Sequence, residues 1–149
     1  MLSISADARG AHVARRSNVE RLLRAIGYPD RAPEAAFSFT LLVDGVEIVA
    51  SEEGGMLRLV CRLTDDTALL PRIAEYAAGR MLRENAVPAY DPKSDSAFLW
   101  MELDGGSDDA ELRRVFEDFA DSCEWWRDRL GSQGDAADAP VPPEMMIRP

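Results

Sequence analysis

The sequence predicts an α+β protein in which a five-stranded antiparallel sheet is combined with three helices, in the order α-β-β-β-α-β-β-α. Two observations predict this class. Runs rich in β-branched and aromatic residues are separated by glycine-containing turns, and three other segments carry apolar residues at helical spacing. At 149 residues the chain is long enough for one domain. We expect this domain at 17–130, between a flexible N-terminal arm at 1–16 and a disordered C-terminal tail at 131–149.

The first helix is predicted to start at Ser17 or Asn18, since both residue types cap helix N-termini well. It ends at Gly27, with Pro29 just beyond. Such a short helix is not stable alone in water, so its apolar stripe must lie on another element, and the strands that follow are the nearest candidate. The stripe consists of Val19, Leu22, Leu23 and Ile26.

Three strands are predicted between residues 37 and 63. Asp44 and Gly45 lie between two β-rich runs and supply the positive φ angles of a two-residue type I′ hairpin turn. The turn determines the register and places six apolar side chains on one face. The expected pairs are Phe39 with Ala50, Leu41 with Ile48 and Val43 with Val46.

A four-residue loop is predicted at 52–55, leading into the third strand. This loop length would extend the same apolar face by pairing Ala50 with Leu57, Ile48 with Leu59 and Val46 with Cys61. The opposite face is more apolar than a solvated face needs, which indicates a covered or partner-binding surface. The apolar residues on it are Leu42, Val49, Met56 and Val60.

The second helix is predicted from Ala68 to about Asn85, with Pro71 in its first turn. It is apolar on more than one side. Such a helix is either enclosed within one domain or shared between the sheet and a second subunit, and in so small a domain we favour the shared arrangement. The predicted dimer interface comprises Leu69, Leu70, Ile73, Ala74, Ala77, Ala78 and Met81.

Two further strands and a long helix complete the pattern. The strand at 87–90 contains Pro88 and is therefore expected at a sheet edge, whereas 97–103 is a longer apolar strand. The last helix starts at Asp108, with Glu111 three residues later as in a capping box, and continues amphipathically to Leu130. Trp125 lies off its main apolar stripe, where it either anchors a partner or packs at the margin of the stripe.

Composition argues against several classes of partner. The formal charge of −10 disfavours nucleic acid and anionic membranes, which bind clustered Lys and Arg. No apolar run approaches the ~18 residues of a membrane span, and we expect no secretory signal. The two cysteines, Cys61 and Cys123, suit reduced core thiols. Together these features predict a cytoplasmic protein.

Residues typical of catalysis are sparse. His12 is the single histidine and lies in the predicted arm. No Ser/His/Asp or Cys/His set can be assembled, and the two cysteines do not form a zinc-binding pattern. The glycine pairs at 54–55 and 105–106 belong to turns and not to a phosphate-binding motif. We therefore predict no catalytic residues, no metal site, no cofactor and no enzymatic activity.

Several segments carry a family resemblance. They are VERLLRAIGYP at 19–29, the Asp-Gly hairpin, MLREN at 81–85 and FADSCEWWRDRL at 119–130. In this order, in a small acidic chain, they resemble the class I type III secretion chaperones, the Tir-chaperone or CesT-like family, over residues 17–130. The longer N-terminal arm and the proline-rich C-terminal tail depart from the family pattern.

The resemblance implies a dimeric chaperone of the bacterial cytoplasm. The second helix would form much of the homodimer interface. The dimer would bind a nonglobular segment near the N-terminus of a type III secreted effector and keep the effector soluble and secretion-competent. The ATPase of the secretion apparatus is an implied further partner, and the chaperone itself hydrolyses no nucleotide.

The predicted partner-binding surface combines apolar positions that offer more surface than a small core can cover. Those on the first helix either bind the partner or hold the helix on the sheet. Two other classes stay open, an acidic adaptor that binds a folded protein and an immunity or inhibitor protein directed against a basic toxin. The predicted partner-binding residues are Val19, Leu22, Leu23, Ile26, Phe37, Leu42, Val49, Val60 and Trp125.

Overall fold

The structure, a computed structural model, describes residues 17–28 and 38–131. The helices are α1 (Asn18–Ala25), α2 (Leu70–Arg80) and α3 (Asp109–Gly131), and the strands are β1 (Ser38–Val43), β2 (Val46–Glu53), β3 (Met56–Thr64), β4 (Val87–Asp91) and β5 (Ser96–Asp104). The predicted order of elements is confirmed. The predicted arm and the predicted tail from residue 132 onward lie outside the described residues, whereas Gly131, predicted in the tail, is the last residue of α3.

The five strands form one antiparallel sheet in the order β1-β2-β3-β5-β4. The predicted β1–β2 register is confirmed, with Leu41 opposite Ile48. Asp44 and Gly45 have φ angles of 49° and 79°, as a type I′ turn requires. β4 lies at the edge of the sheet, where its Pro88 was expected to place it.

The predicted loop between β2 and β3 is wrong. Gly54 and Gly55 alone form the turn, with φ angles of 60° and 82°, because two glycines together can adopt the left-handed conformation of a tight hairpin. Ile48 therefore pairs with Cys61, and Ala50 pairs with Leu59. This register differs from the predicted one by two residues. Side chains alternate with a period of two, so every side chain still lies on its predicted face.

One face of the sheet, which we call the inner face, packs against α1 and α3 and forms the core. Leu57 and Leu59 on β3, Ile48 on β2 and Leu99 on β5 are fully buried there. α3 contributes the largest buried side chains, Trp126 and Phe119 among them. Asp108 accepts a hydrogen bond from the backbone N–H of Glu111 at 2.8 Å, which confirms the predicted start of this helix.

The N-terminal end of α1 is held between two turns of the sheet. Ser17 caps the helix by accepting a hydrogen bond from the Glu20 N–H, and Asn18 donates to both Glu52 and the Gly55 carbonyl. A Cβ atom at Gly105 would lie 2.1 Å from the Asn18 side chain, so a larger residue there would displace Asn18. These contacts fix α1 on the inner face.

The second helix is shorter than the sequence predicts. A 3₁₀ turn at Thr67–Leu69, capped by Asp66, precedes it, and the helix ends at Arg80. Pro71 lies in the first turn as expected. Because proline has no N–H, it cannot donate the hydrogen bond that would continue an α-helix back to residue 67. Beyond Arg80 the chain turns tightly, with the Arg83 N–H donating to the Arg80 carbonyl at 2.8 Å.

Candidate partner-binding surfaces

The opposite face of the sheet, the outer face, carries a continuous apolar row. The register pairs Val49 with Val60, Val60 with Trp100 and Trp100 with Val87. We call these four residues the outer row. All four are half-buried. Since neighbouring strands lie ~4.8 Å apart, the row extends over about 15 Å of the sheet.

Polar and apolar residues flank the outer row. On one side, Arg58 forms ion pairs with Glu53 at 2.9 Å and with Glu102 at 2.6 Å, and its hydrogen bond to Glu102 raises the pKa of the Arg58 guanidinium. On the other side lie Leu42, which is 76% exposed, the half-buried Phe98 and, between them, the exposed Glu47 and Arg62. The outer face is therefore an apolar strip with an ionic border.

Three predicted partner-binding residues, Leu42, Val49 and Val60, lie on this face. Trp100, Phe98 and Val87 extend it and were missed. The signal that could have identified the two aromatic residues is the run at 97–101, in which both alternating sets of side chains are apolar, as in a strand with two apolar faces. Phe37, also predicted, lies outside the described residues.

The predicted exposure of the first-helix stripe is wrong. Val19, Leu22 and Leu23 are 0%, 0% and 2% exposed, and Ile26 is partly buried against the same core. These side chains face both the sheet and α3, which cover the helix on two sides. Hydrogen bonds from Asn18 to Glu52 and from Arg21 to the Gly105 carbonyl hold the helix in this position. In the described protomer the side chains of the stripe belong to the core and offer little surface to a partner.

The predicted dimer residues on and around α2 divide into three groups by their exposure. Ile73 and Ala77 are 6% and 7% exposed and belong to the core of the protomer, so their assignment to an exposed interface is corrected. Leu69 and Leu70 are partly buried against this core. Ala74, Ala78 and Met81 are exposed, and Leu82 beside them is 91% exposed.

Trp125 packs at the margin between α2 and α3. The Arg80 guanidinium lies 3.7 Å from the centroid of its ring, and Tyr76 and Trp126 make edge-to-face contacts with it. It lines a cavity of about 520 Å³, in which Ser122 donates a hydrogen bond to Glu84. The residue is half-buried, so only part of its ring remains accessible.

The described part of the chain gives no support for a metal site or a membrane-spanning helix. Within residues 17–28 and 38–131, no group of three or more His, Cys, Asp or Glu side chains could hold a metal ion. None of the helices in these ranges is long and apolar enough to cross a membrane. The geometry that stands out is apolar surface on the outer face and on α2.

Comparison with known proteins gives a family match and several similar folds. The family model of the Tir chaperone protein (CesT) family matches residues 17–127. No curated protein sequence matches the chain significantly. Among solved structures, the fold resembles a chain of the HopA1–SchA chaperone–effector complex, with 13% identity and a TM-score of 0.60 over 73% of this chain and 89% of that chain.

Two further structures have the same fold. A chain of the ExoT–SpcS complex from Pseudomonas aeruginosa is 17% identical, with a TM-score of 0.57 over 73% of this chain and 93% of that one. A chain of the structure of the Yersinia pestis type III secretion chaperone SycH in complex with a stable fragment of YscM2 is 16% identical, with a TM-score of 0.53 over 74% of this chain and 97% of that one. At these identities the likeness concerns the fold alone.

Proposed function

Because the chain belongs to the Tir chaperone protein (CesT) family of class I type III secretion chaperones, we propose that it binds a nonglobular segment near the N-terminus of a secreted effector. Binding keeps the effector soluble and secretion-competent in the bacterial cytoplasm. The observation that carries this proposal is the outer row, an apolar strip across four strands of a charged, acidic protein. The secretion-apparatus ATPase is a second proposed partner.

The outer face suits an extended or locally helical client. Its half-buried side chains offer pockets for apolar residues, and Leu42 adds an exposed apolar side chain at the β1 end. β1 and β4 are the edges of the sheet, where a client strand could add main-chain hydrogen bonds. Two of the structures with this fold are the HopA1–SchA chaperone–effector complex and the complex of SycH with a fragment of YscM2. These complexes support the proposal by analogy.

The proposed function is tested with the protein encoded beside this chain in its genome. We expect this neighbour to be insoluble when expressed alone and soluble when co-expressed with the chain. Limited proteolysis of the complex should leave a protected client fragment near the client's N-terminus, because only the bound segment is shielded. If the chain instead protects a complete folded domain of the neighbour and neutralises its toxicity, the result favours the immunity class. The charge of −10 would then complement a basic toxin.

We further propose a homodimer formed through the exposed face of α2. Ala74 and Ala78 lie one turn apart on this face, and Met81 and Leu82 follow at its C-terminal end. Small side chains allow two helices to approach closely, and burial of the two larger ones would remove apolar surface from water. The 3₁₀ turn before α2 extends the same region with Leu69, which is half-buried.

Ala78→Glu is expected to convert the dimer into a folded monomer. The added carboxylate points to solvent in the protomer but would be buried without a partner in the dimer, at a cost of several kcal/mol. Light scattering measures the mass, and circular dichroism checks the fold. The matched control is Ala110→Glu, an exposed alanine in the first turn of α3, where a carboxylate is favoured. A dimeric Ala78→Glu variant would exclude this face as the interface.

A further inference from the structure

Two buried thiols meet where α3 packs against the centre of the sheet. Cys61 lies on the inner face of β3 and Cys123 on the facing side of α3, and they are 3% and 0% exposed. Both are free thiols, and both line the same cavity between β3 and α3. The Cys61 thiol also lies 3.6 Å from the Arg62 carbonyl oxygen. Their pairing is not needed to bind a client on the outer face.

An opening in the sheet leads to this pair. The β2–β3 register ends at Ile48 and Cys61, beyond which Val46 and Glu47 pair with β1 and not with β3. β3 is also irregular between Arg62 and Thr64. The strands separate here around a cavity of about 370 Å³ that both cysteines line. Exposed residues line it too, so the cavity opens to solvent, and Cys61, 3% exposed, is the more accessible of the two cysteines.

Two charged residues at this opening act on Cys61 in opposite directions. The interaction with the Cys123 side chain lowers the pKa of the Cys61 thiol, and the positive charge of Arg127 lowers it further, whereas burial and the negative charge of Glu47 raise it. The neighbouring Cys61 and burial both raise the pKa of the Cys123 thiol. Cys61 is therefore the sulfur that more readily becomes a thiolate, the form that reacts with oxidants. Arg127 is held at the opening by its hydrogen bond to the Asp44 carbonyl at 3.0 Å.

We propose that Cys61 and Cys123 form a redox-active pair that hydrogen peroxide converts into a disulfide between β3 and α3. The Cys61 thiolate attacks one peroxide oxygen, so that an S–O bond forms, the O–O bond breaks and the departing hydroxide takes up a proton to become water. The Cys123 sulfur then attacks the Cys61 sulfenic acid. The S–S bond forms, the S–O bond breaks, and the hydroxide leaves as a second water with the Cys123 proton. Two thiols are oxidised and one peroxide is reduced.

The disulfide stabilises the contact between α3 and the sheet. It closes a loop of roughly 60 residues, and a cross-link over a loop of this length restricts the unfolded chain strongly. Oxidation therefore raises the urea concentration at which the chain unfolds. The effect can be measured on the chain alone, without a client.

The test treats the reduced full-length chain with hydrogen peroxide under native conditions. Intact mass spectrometry should find the loss of two hydrogens. Labelling of the unfolded product with a maleimide should find no free thiol, and peptide mapping should place the bond between residues 61 and 123. Dithiothreitol should restore both thiols and the original urea midpoint. Cys123→Ala should leave a sulfenic acid at Cys61 that a dimedone reagent captures.

A pair of charge variants keeps the test independent of any cysteine substitution. Arg127→Gln should slow disulfide formation and Glu47→Gln should accelerate it, by about two- to tenfold each, because thiolate content follows the local charge. Both side chains are exposed, so neither change should disturb the fold. Thiols that stay reduced in the folded chain, oxidation only at urea concentrations that unfold it, or cross-links only between chains would each overturn the proposal.

Discussion

Val49→Asp is expected to weaken binding of the effector segment about 100-fold or more, because burying an unpaired carboxylate under a client costs several kcal/mol. Val49 lies in β2 on the outer face, between Thr40 and Val60. In the free protein it is half-buried, so an aspartate there can still turn its carboxylate to water. Affinity is measured by calorimetry with the protected client fragment, and the thermal midpoint is recorded alongside.

The control introduces the same charge on the other side of the molecule. Ala110→Asp, at the exposed start of α3, should bind the client fragment normally. Leu42→Asp tests the outer face at a second, more exposed position and should also weaken binding. Normal affinity in both Val49→Asp and Leu42→Asp would exclude the outer face, and the margin around Trp125 would become the next candidate surface. Leu23→Asp would be uninformative, since Leu23 is buried and its loss of binding would follow unfolding.

The features that the sequence predicted correctly depend on local chemistry. Asp44 and Gly45 determine the β1–β2 register, because few residue pairs adopt two successive positive φ angles. Ser17, Gly27 and Asp108 mark helix ends for similarly local reasons. The loop between β2 and β3 was harder to predict, because loops of two and four residues place the same side chains on the same faces.

The surfaces depend on contacts between distant parts of the chain, which local patterns do not specify. Trp100 joins the outer row only because β5 lies between β3 and β4, a strand order that no turn in the sequence determines. The apolar stripe of α1 looked too large for a small core. In the structure α3 covers it together with the sheet, so Val19 and Leu22 are completely buried. Burial of this kind follows from packing and not from periodicity.

Trp126→Ala is expected to remove about 3–5 kcal/mol of stability, the usual cost of deleting a large aromatic side chain from a core. The ring is 1% exposed, and it makes edge-to-face contacts with Tyr76 and Trp125. Domains of this size are stable by only about 5–15 kcal/mol, so the variant should be close to unfolding at physiological temperature. Urea titration at a fixed protomer concentration measures the loss, because the proposed dimer would make the midpoint concentration-dependent.

The adjacent tryptophan supplies a matched control for this loss. Trp125→Ala removes the same side chain one residue earlier, from a half-buried position where its contacts are edge-to-face pairs and the stacked Arg80 guanidinium. Each such contact contributes about 0.5–2 kcal/mol, so the total loss should be clearly smaller than for Trp126→Ala. Equal losses would mean that Trp125 is as much a part of the core as Trp126. A folded Trp125→Ala variant that no longer binds the client would instead assign this tryptophan to the client surface. The small loss of stability could not then explain the loss of binding.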